Sequence, residues 1–181
     1  MYLCQNVRMK GRAVMNTSEL SALIHEASLG DDDAFTKLYA VVCRPLYKIA
    51  RIALKTEKQA IEAIKLTVAD SYAALPSAKI NGNGEFVEWI VKILCTKIRH
   101  LYKKHENEEV PLPPDNRGFD IRRALISLQD IERLVLAVSN VCSCNAEKTA
   151  KLCGYTEQTV AVCLTNAEVT LKTMLLSYSG I

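Results

Sequence analysis

Lys92, Lys97, Arg99, His100, Lys103 and Lys104 gather in one short stretch of the chain, beside Trp89 and Tyr102. Attraction of phosphates to cations, combined with stacking of bases on aromatic rings, is the chemistry of single-stranded nucleic-acid capture. The same cations also suit the negative pole of a helix end, and Trp89 lies at the spacing of an apolar stripe, so it is expected in the core. A second constellation is Cys142-x-Cys144 with Cys153 and Cys163. Four thiolates could hold a tetrahedral zinc ion. The spacing has no Cys-x-x-Cys knuckle, however, so free cysteines behaving as small apolar residues are the expected state. His25, His100 and His105 are scattered without an evident carboxylate or cysteine partner, and no phosphate-cradling glycine loop occurs. No catalytic residue, metal site or cofactor is assigned, and an enzyme is not expected.

The elements that position these residues read as helices throughout. Of the 181 residues 49% are apolar, yet only three are Phe and one is Trp, so the core must be built mainly from Leu, Ile, Val and Ala. Residues 1–14 show no helical period and form an N-terminal extension. Asn16 with Glu19 resembles a capping box, followed by Leu20, Leu23, Ile24 and Ala27 on one face and a stop at Gly30. Asp31 to Asp33 place negative charge at the start of a second helix with the stripe Phe35, Leu38, Val42, Leu46 and Ile49, in which Pro45 predicts a kink. Thr56 and Gln59 repeat the capping-box spacing ahead of Ile61, Ile64, Val68 and Tyr72, and Pro76 ends that helix. A loop over residues 79–84 precedes a fourth helix marked by Phe86, Trp89, Ile90, Ile93 and Leu101.

Residues 108–119, with Pro111, Pro113, Pro114 and acidic neighbours, read as an extended linker between a domain over residues 15–107 and a second over residues 120–181. Four shorter helices follow, over 120–128, 130–140, 145–153 and 156 to about 176. Cys153-Gly154-Tyr155-Thr156 makes a tight turn between the last two, giving a helix-turn-helix candidate. The seven cysteines, Cys4, Cys43, Cys95, Cys142, Cys144, Cys153 and Cys163, are an odd set with no signal peptide, which points to a reducing cytoplasm. No run of about eighteen uninterrupted apolar residues occurs, so no membrane partner is expected.

Taken in order, Ala27-x-x-Gly30-Asp31-x-x-Ala34-Phe35-x-x-Leu38-Tyr39, Leu46-Tyr47-x-Ile49-Ala50, Glu62-Ala63-Ile64, Ser71-Tyr72-Ala73-Ala74-Leu75 and Phe86-x-x-Trp89-Ile90-x-x-Ile93 resemble region two of sigma-70 family transcription factors. Ala124-Leu125-x-x-Leu128, Glu132-Arg133-x-Val135-Leu136 and Ala150-x-x-Cys153-Gly154-x-Thr156-x-x-Thr159-Val160-x-x-x-Leu164 resemble region four. The absence of a domain between them is similar to the short extracytoplasmic-function class. The resemblance implies an all-α fold of two small helical domains, and a bacterial initiation factor with core RNA polymerase and promoter DNA as partners. An anti-sigma or other regulatory protein is a further implied partner.

It also implies roles for residues. Ile61, Glu62, Ile64, Lys65 and Asp70 would contact polymerase. Trp89, Lys92, Lys97, Arg99, His100, Lys103 and Lys104 would hold the melted strand. Thr156, Gln158, Thr159 and Asn166 would lie in the major groove. The chain departs from the family at several of these places. Lys65 and Leu66 stand where the family has Gln and Glu, Thr96 and His100 where it has Asn and Asp, and Ala161, Val162 and Cys163 where it has Lys, Ser and Arg. Over the recognition helix Glu157 and Glu168 face Lys172 alone, and a net-acidic helix gains no counterion-release affinity. An alternative is therefore a sigma-like protein that has lost promoter reading and binds a protein partner.

Overall fold

Short-range signals set most helix boundaries. The computed structural model describes residues 17–80, 82–106, 108 and 121–179. Among them are α1 (Thr17–Ser28), α2 (Asp32–Ala53), α3 (Glu57–Ala74), α4 (Asn83–Lys104), α5 (Ile121–Ser127), α6 (Asp130–Cys142), α7 (Ala146–Cys153) and α8 (Glu157–Ser179), with one 3₁₀ turn at Leu75–Ser77 and no strand. The all-α reading is borne out. The N-terminal extension, the Asn16 cap and all of the proposed linker except Glu108 lie outside the described residues.

Gly30 closes the first helix at φ +94°, a left-handed conformation that glycine adopts without penalty. Asp31 caps α2 by accepting from the Ala34 N–H at 2.9 Å. At the start of α3 both halves of the capping box are made: the Gln59 N–H donates to the Thr56 hydroxyl at 3.2 Å and the Thr56 N–H to the Gln59 carbonyl oxygen at 3.3 Å. α2 is one continuous helix that contains Pro45, with Val42, Leu46 and Ile49 on either side buried. One expectation shifts. α4 starts at Asn83, inside the expected loop, since the Gly82 carbonyl already accepts from the Phe86 N–H at 3.0 Å.

α1 to α4 pack around Leu38, Leu46, Ile49, Phe86, Ile90, Leu94 and Ile98, each almost fully buried. α6 packs on α2 and α7 on α4, so Leu134, Ala137, Val138, Cys142, Leu152 and Cys153 join this same core. A smaller core of Val135, Ala150, Val160 and Cys163 lies within the second group of helices.

The two groups are also tied by charge. The last carbonyls of a helix have no partner within it and carry the negative end of its dipole. At the end of α2 they are met by arginines from the other group. Arg122 donates to the carbonyls of Arg51, Leu54 and Lys55 at 2.6, 2.8 and 2.5 Å. Arg133, with a side chain only 1% exposed, donates through Nε to the Ala53 carbonyl at 2.8 Å and through its other nitrogens to Leu128, Ile126 and Asp130. The Tyr102 hydroxyl donates to the same Ala53 carbonyl at 3.0 Å. Truncating Arg133 would leave buried acceptors unmet. Arg133→Ala is expected to cost about 3 kcal/mol in urea unfolding, and Arg133→Lys to recover less than half of it, because an ammonium cannot reproduce the planar fork. A loss below about 1 kcal/mol for the alanine variant would show that the guanidinium contributes little.

Candidate functional site

The polymerase-facing and strand-holding residues expected from the sequence lie on adjacent helices, and their side chains divide into two sets. On α3, Ile61 is 42% exposed, and Lys65 and Tyr72 also point outward. Tyr72 stacks edge-on against Phe35, with centroids 5.1 Å apart, and its hydroxyl donates to the Asp32 carboxylate. Ile64 is half-buried against the main core. Glu62 and Asp70 turn the other way, toward α4.

There they meet part of the cationic set. Lys97 pairs with Asp70, and the Lys104 ammonium lies 2.6 Å from Glu62. His105 extends the row, with Nδ1 2.7 Å from Glu108 and Nε2 3.6 Å from Glu62, while the Gln59 amide donates to Glu108 at 3.3 Å. The hydrogen bond from Lys104 lowers the Glu62 pKa below the usual carboxylate value, and the contact with His105 does the same for Glu108. These α3 carboxylates thus neutralise two of the cations.

Arg99 is engaged elsewhere. Its guanidinium lies 5.7 Å from the Tyr155 ring centroid in a cation–π contact, and it occupies the space next to Gly154. A Cβ at Gly154 would stand 3.1 Å from Nη1 of Arg99 and would sit on a backbone at φ +73°. The left-handed backbone is what calls for glycine there, since the tip of the flexible Arg99 side chain could give way by a few tenths of an ångström. Trp89 is half-buried against the core, 5.9 Å from the Phe86 ring. What remains on the outer face of α4 is Lys92, Thr96, His100 and Lys103, all exposed at steps of three or four residues, with the Thr96 hydroxyl donating to the Lys92 carbonyl at 3.0 Å.

In the second group, α7, Gly154 and α8 form the expected helix-turn-helix. Asn145 caps α7 by accepting from the Lys148 N–H at 2.9 Å, and the N–H groups of Gly154 and Tyr155 both return to the Ala150 carbonyl. At the start of α8 Thr156 accepts from the Thr159 N–H at 3.1 Å, and the two hydroxyls are hydrogen-bonded at 2.7 Å. Those hydroxyls serve the cap. Gln158, Ala161, Val162, Thr165, Asn166, Glu168 and Val169 are exposed along α8, with Val162 at 53% and Val169 at 58%. By length and mean hydropathy residues 157–177 of α8 would suffice to cross a membrane, although Glu168 and Lys172 interrupt them. α5, α6 and α8 enclose an open groove of about 550 Å³ lined by Ile121, Leu125, Leu136, Leu164, Leu171 and Leu175, with Glu168 and Lys172 at its edge.

The four cysteines singled out by the sequence do not meet. Cys163 belongs to the small second core, and the thiol that joins Cys142, Cys144 and Cys153 is Cys95 of α4. Among the described residues no group of three or more His, Cys, Asp or Glu is placed to hold a metal ion. Burial, reinforced by the neighbouring Cys144 and Cys153, pushes the Cys142 thiol up to about 12. Sequence reasoning misses Arg122, Arg133 and Tyr102 as ties between the groups, and places Arg99 with the DNA-facing cations. The signal that sets Arg99 apart is its place one turn after Cys95, at the border of the apolar face.

No family model matches the chain, and no curated protein matches it either. Solved structures do. CnrH in complex with the cytosolic domain of CnrY superposes with a TM-score of 0.65 at 19% identity, over 87% of this chain and 97% of that one. The sigma factor RpoE in complex with the anti-sigma factor NepR, from Bartonella quintana, gives 0.60 at 19% identity, over 78% and 96%. The chain therefore shares its fold with these structures, one of them a sigma factor, over most of its length.

Proposed function

We propose that the chain is a sigma-type transcription initiation factor that docks on core RNA polymerase through the outer face of α3 and directs it to promoter DNA through α4 and α8. One observation carries this reading: the exposed cations Lys92 and Lys103, with His100 between them, run along α4 beside an α3 face on which Ile61 and Tyr72 are exposed with Lys65. An exposed apolar surface rimmed by charge suits burial against a large protein partner. An exposed cationic stripe suits a phosphate backbone. The likeness to a sigma factor over most of both chains supports joining these two surfaces in one role.

A second reading rests on α8. Its exposed apolar residues and the adjoining groove suit a helix laid in by a regulatory protein better than they suit phosphates. That the two structures named above each carry a protein partner, the cytosolic domain of CnrY and the anti-sigma factor NepR, supports an anti-sigma-like class of ligand for this chain. Co-purification with core polymerase followed by run-off transcription on genomic fragments separates the two. Binding with defined start sites supports promoter direction; binding without them leaves the protein-partner reading; binding neither polymerase nor start sites ends both.

The division of the α4 cations has its own consequence. Lys92→Ala combined with Lys103→Ala should weaken binding of a labelled single-stranded oligonucleotide and flatten its salt dependence by about 0.7 for each phosphate no longer neutralised. Lys104→Ala alone should do less, because Glu62 already holds that ammonium. Glu62→Gln should free Lys104, tightening binding at low salt and steepening the slope. Equal effects from all three lysines would mean that the α3 carboxylates do not compete with DNA.

A further inference from the structure

Four of the six described cysteines converge where the second group of helices meets α4: Cys95 on α4, Cys142 at the end of α6, Cys144 in the following turn and Cys153 at the end of α7. Cys95 and Cys153 are both 0% exposed and belong to the same core. Contacts on either side fix their register. Glu88, two turns before Cys95, pairs with Lys148 of α7 at 2.7 Å. Arg99, one turn after Cys95, lies against Gly154 and Tyr155, directly after Cys153. The pairs 88/148, 95/153 and 99/154 therefore run in step along one face of α4.

We propose that Cys95 and Cys153 are a latent disulfide pair, closed by a peroxide oxidant, that staples the helix-turn-helix onto α4. In balanced terms, one thiol attacks a peroxide oxygen, becoming a sulfenic acid and releasing water. The second thiol then attacks that sulfur and forms the S–S bond with release of a second water. Two thiols lose two hydrogens and two electrons, and hydrogen peroxide is reduced to two waters. In the closed protein neither sulfur meets solvent. The neighbouring Cys153 thiol and burial push the Cys95 thiol pKa well up, which favours the unreactive protonated form. Oxidant reaches the pair only when α7 lifts from α4, and the bond forms when the helices return. Cys142 is a poor competitor. It is almost as buried, and the Cys144 thiol nearest to it in sequence is directed to the Cys142 carbonyl at 3.4 Å.

The reaction is independent of what the chain binds. Its product would nevertheless hold Arg99 against Gly154 and keep the helix-turn-helix beside the cationic helix.

The test treats the full-length reduced chain with hydrogen peroxide across a temperature series, blocks remaining thiols with N-ethylmaleimide and maps cross-linked peptides by mass spectrometry. Cys95–Cys153 should be the dominant link, absent in Cys95→Ser and in Cys153→Ser and retained in Cys142→Ser and Cys144→Ser. Glu88→Gln, which loosens the register without touching a thiol, should speed its formation several-fold. A protease site inserted after Pro114 adds a second readout: cleaved halves should stay joined until reductant is added. The proposal is overturned by a dominant link through Cys142 or Cys144, by sulfinic acid at one cysteine without a cross-link, or by thiols that are fully alkylated and never linked. Mapping of the unmutated chain decides this even if a serine variant fails to fold.

Discussion

The structure depends on how the end of α2 is satisfied. A helix that stops inside a protein leaves carbonyls that neither its own backbone nor water can serve. Here Arg122 and Arg133, from helices that follow some seventy to eighty positions later, supply the donors. Because α2 is also the central packing partner of α1, α3 and α6, the same arginines fix where the second group of helices sits. The apolar residues of α6 then complete a core that α1 to α4 begin. Removing the cations would not simply subtract hydrogen bonds; it would leave polar groups stranded beneath a packed surface.

Much of this is legible in the sequence wherever the controlling interaction is local. The Thr56–Gln59 box, the Asp31 cap, the glycines at positions 30 and 154 and the stop at Pro76 each act within a few residues, and each stands where its spacing predicts. Pro45 removes one N–H from the ladder, yet α2 continues past it with Leu46 and Ile49 buried, where a local rule meets long-range packing. Arg133 reads as a family signature, and nothing near it in sequence indicates that its acceptor is Ala53. The division of the α4 cations is hidden for the same reason. Position along a helix shows which lysines share a face, but only the placement of α3 shows that Asp70 and Glu62 stand opposite Lys97 and Lys104.

That opposition changes the meaning of net charge. Six basic residues in one stretch look like a strong phosphate site, yet two are paired with carboxylates and a third is stacked on Tyr155. Lys92, His100 and Lys103 are exposed and lie outside those contacts. In α8 the balance leans the other way, with the cap consuming the threonine hydroxyls and the exposed face carrying valine and leucine. α4 and α8 therefore differ in surface chemistry, one offering charge and the other apolar area.

The tie at Ala53 has one more implication. Guanidinium groups and helix-end carbonyls are both well served by water once separated, so the polar share of the junction exchanges one set of hydrogen bonds for another at modest net loss. Oily surfaces have no such substitute in solvent. The polar bonds of the junction are thus the exchangeable part of it, and the apolar residues that α6 and α7 add to the shared core are what hold it shut.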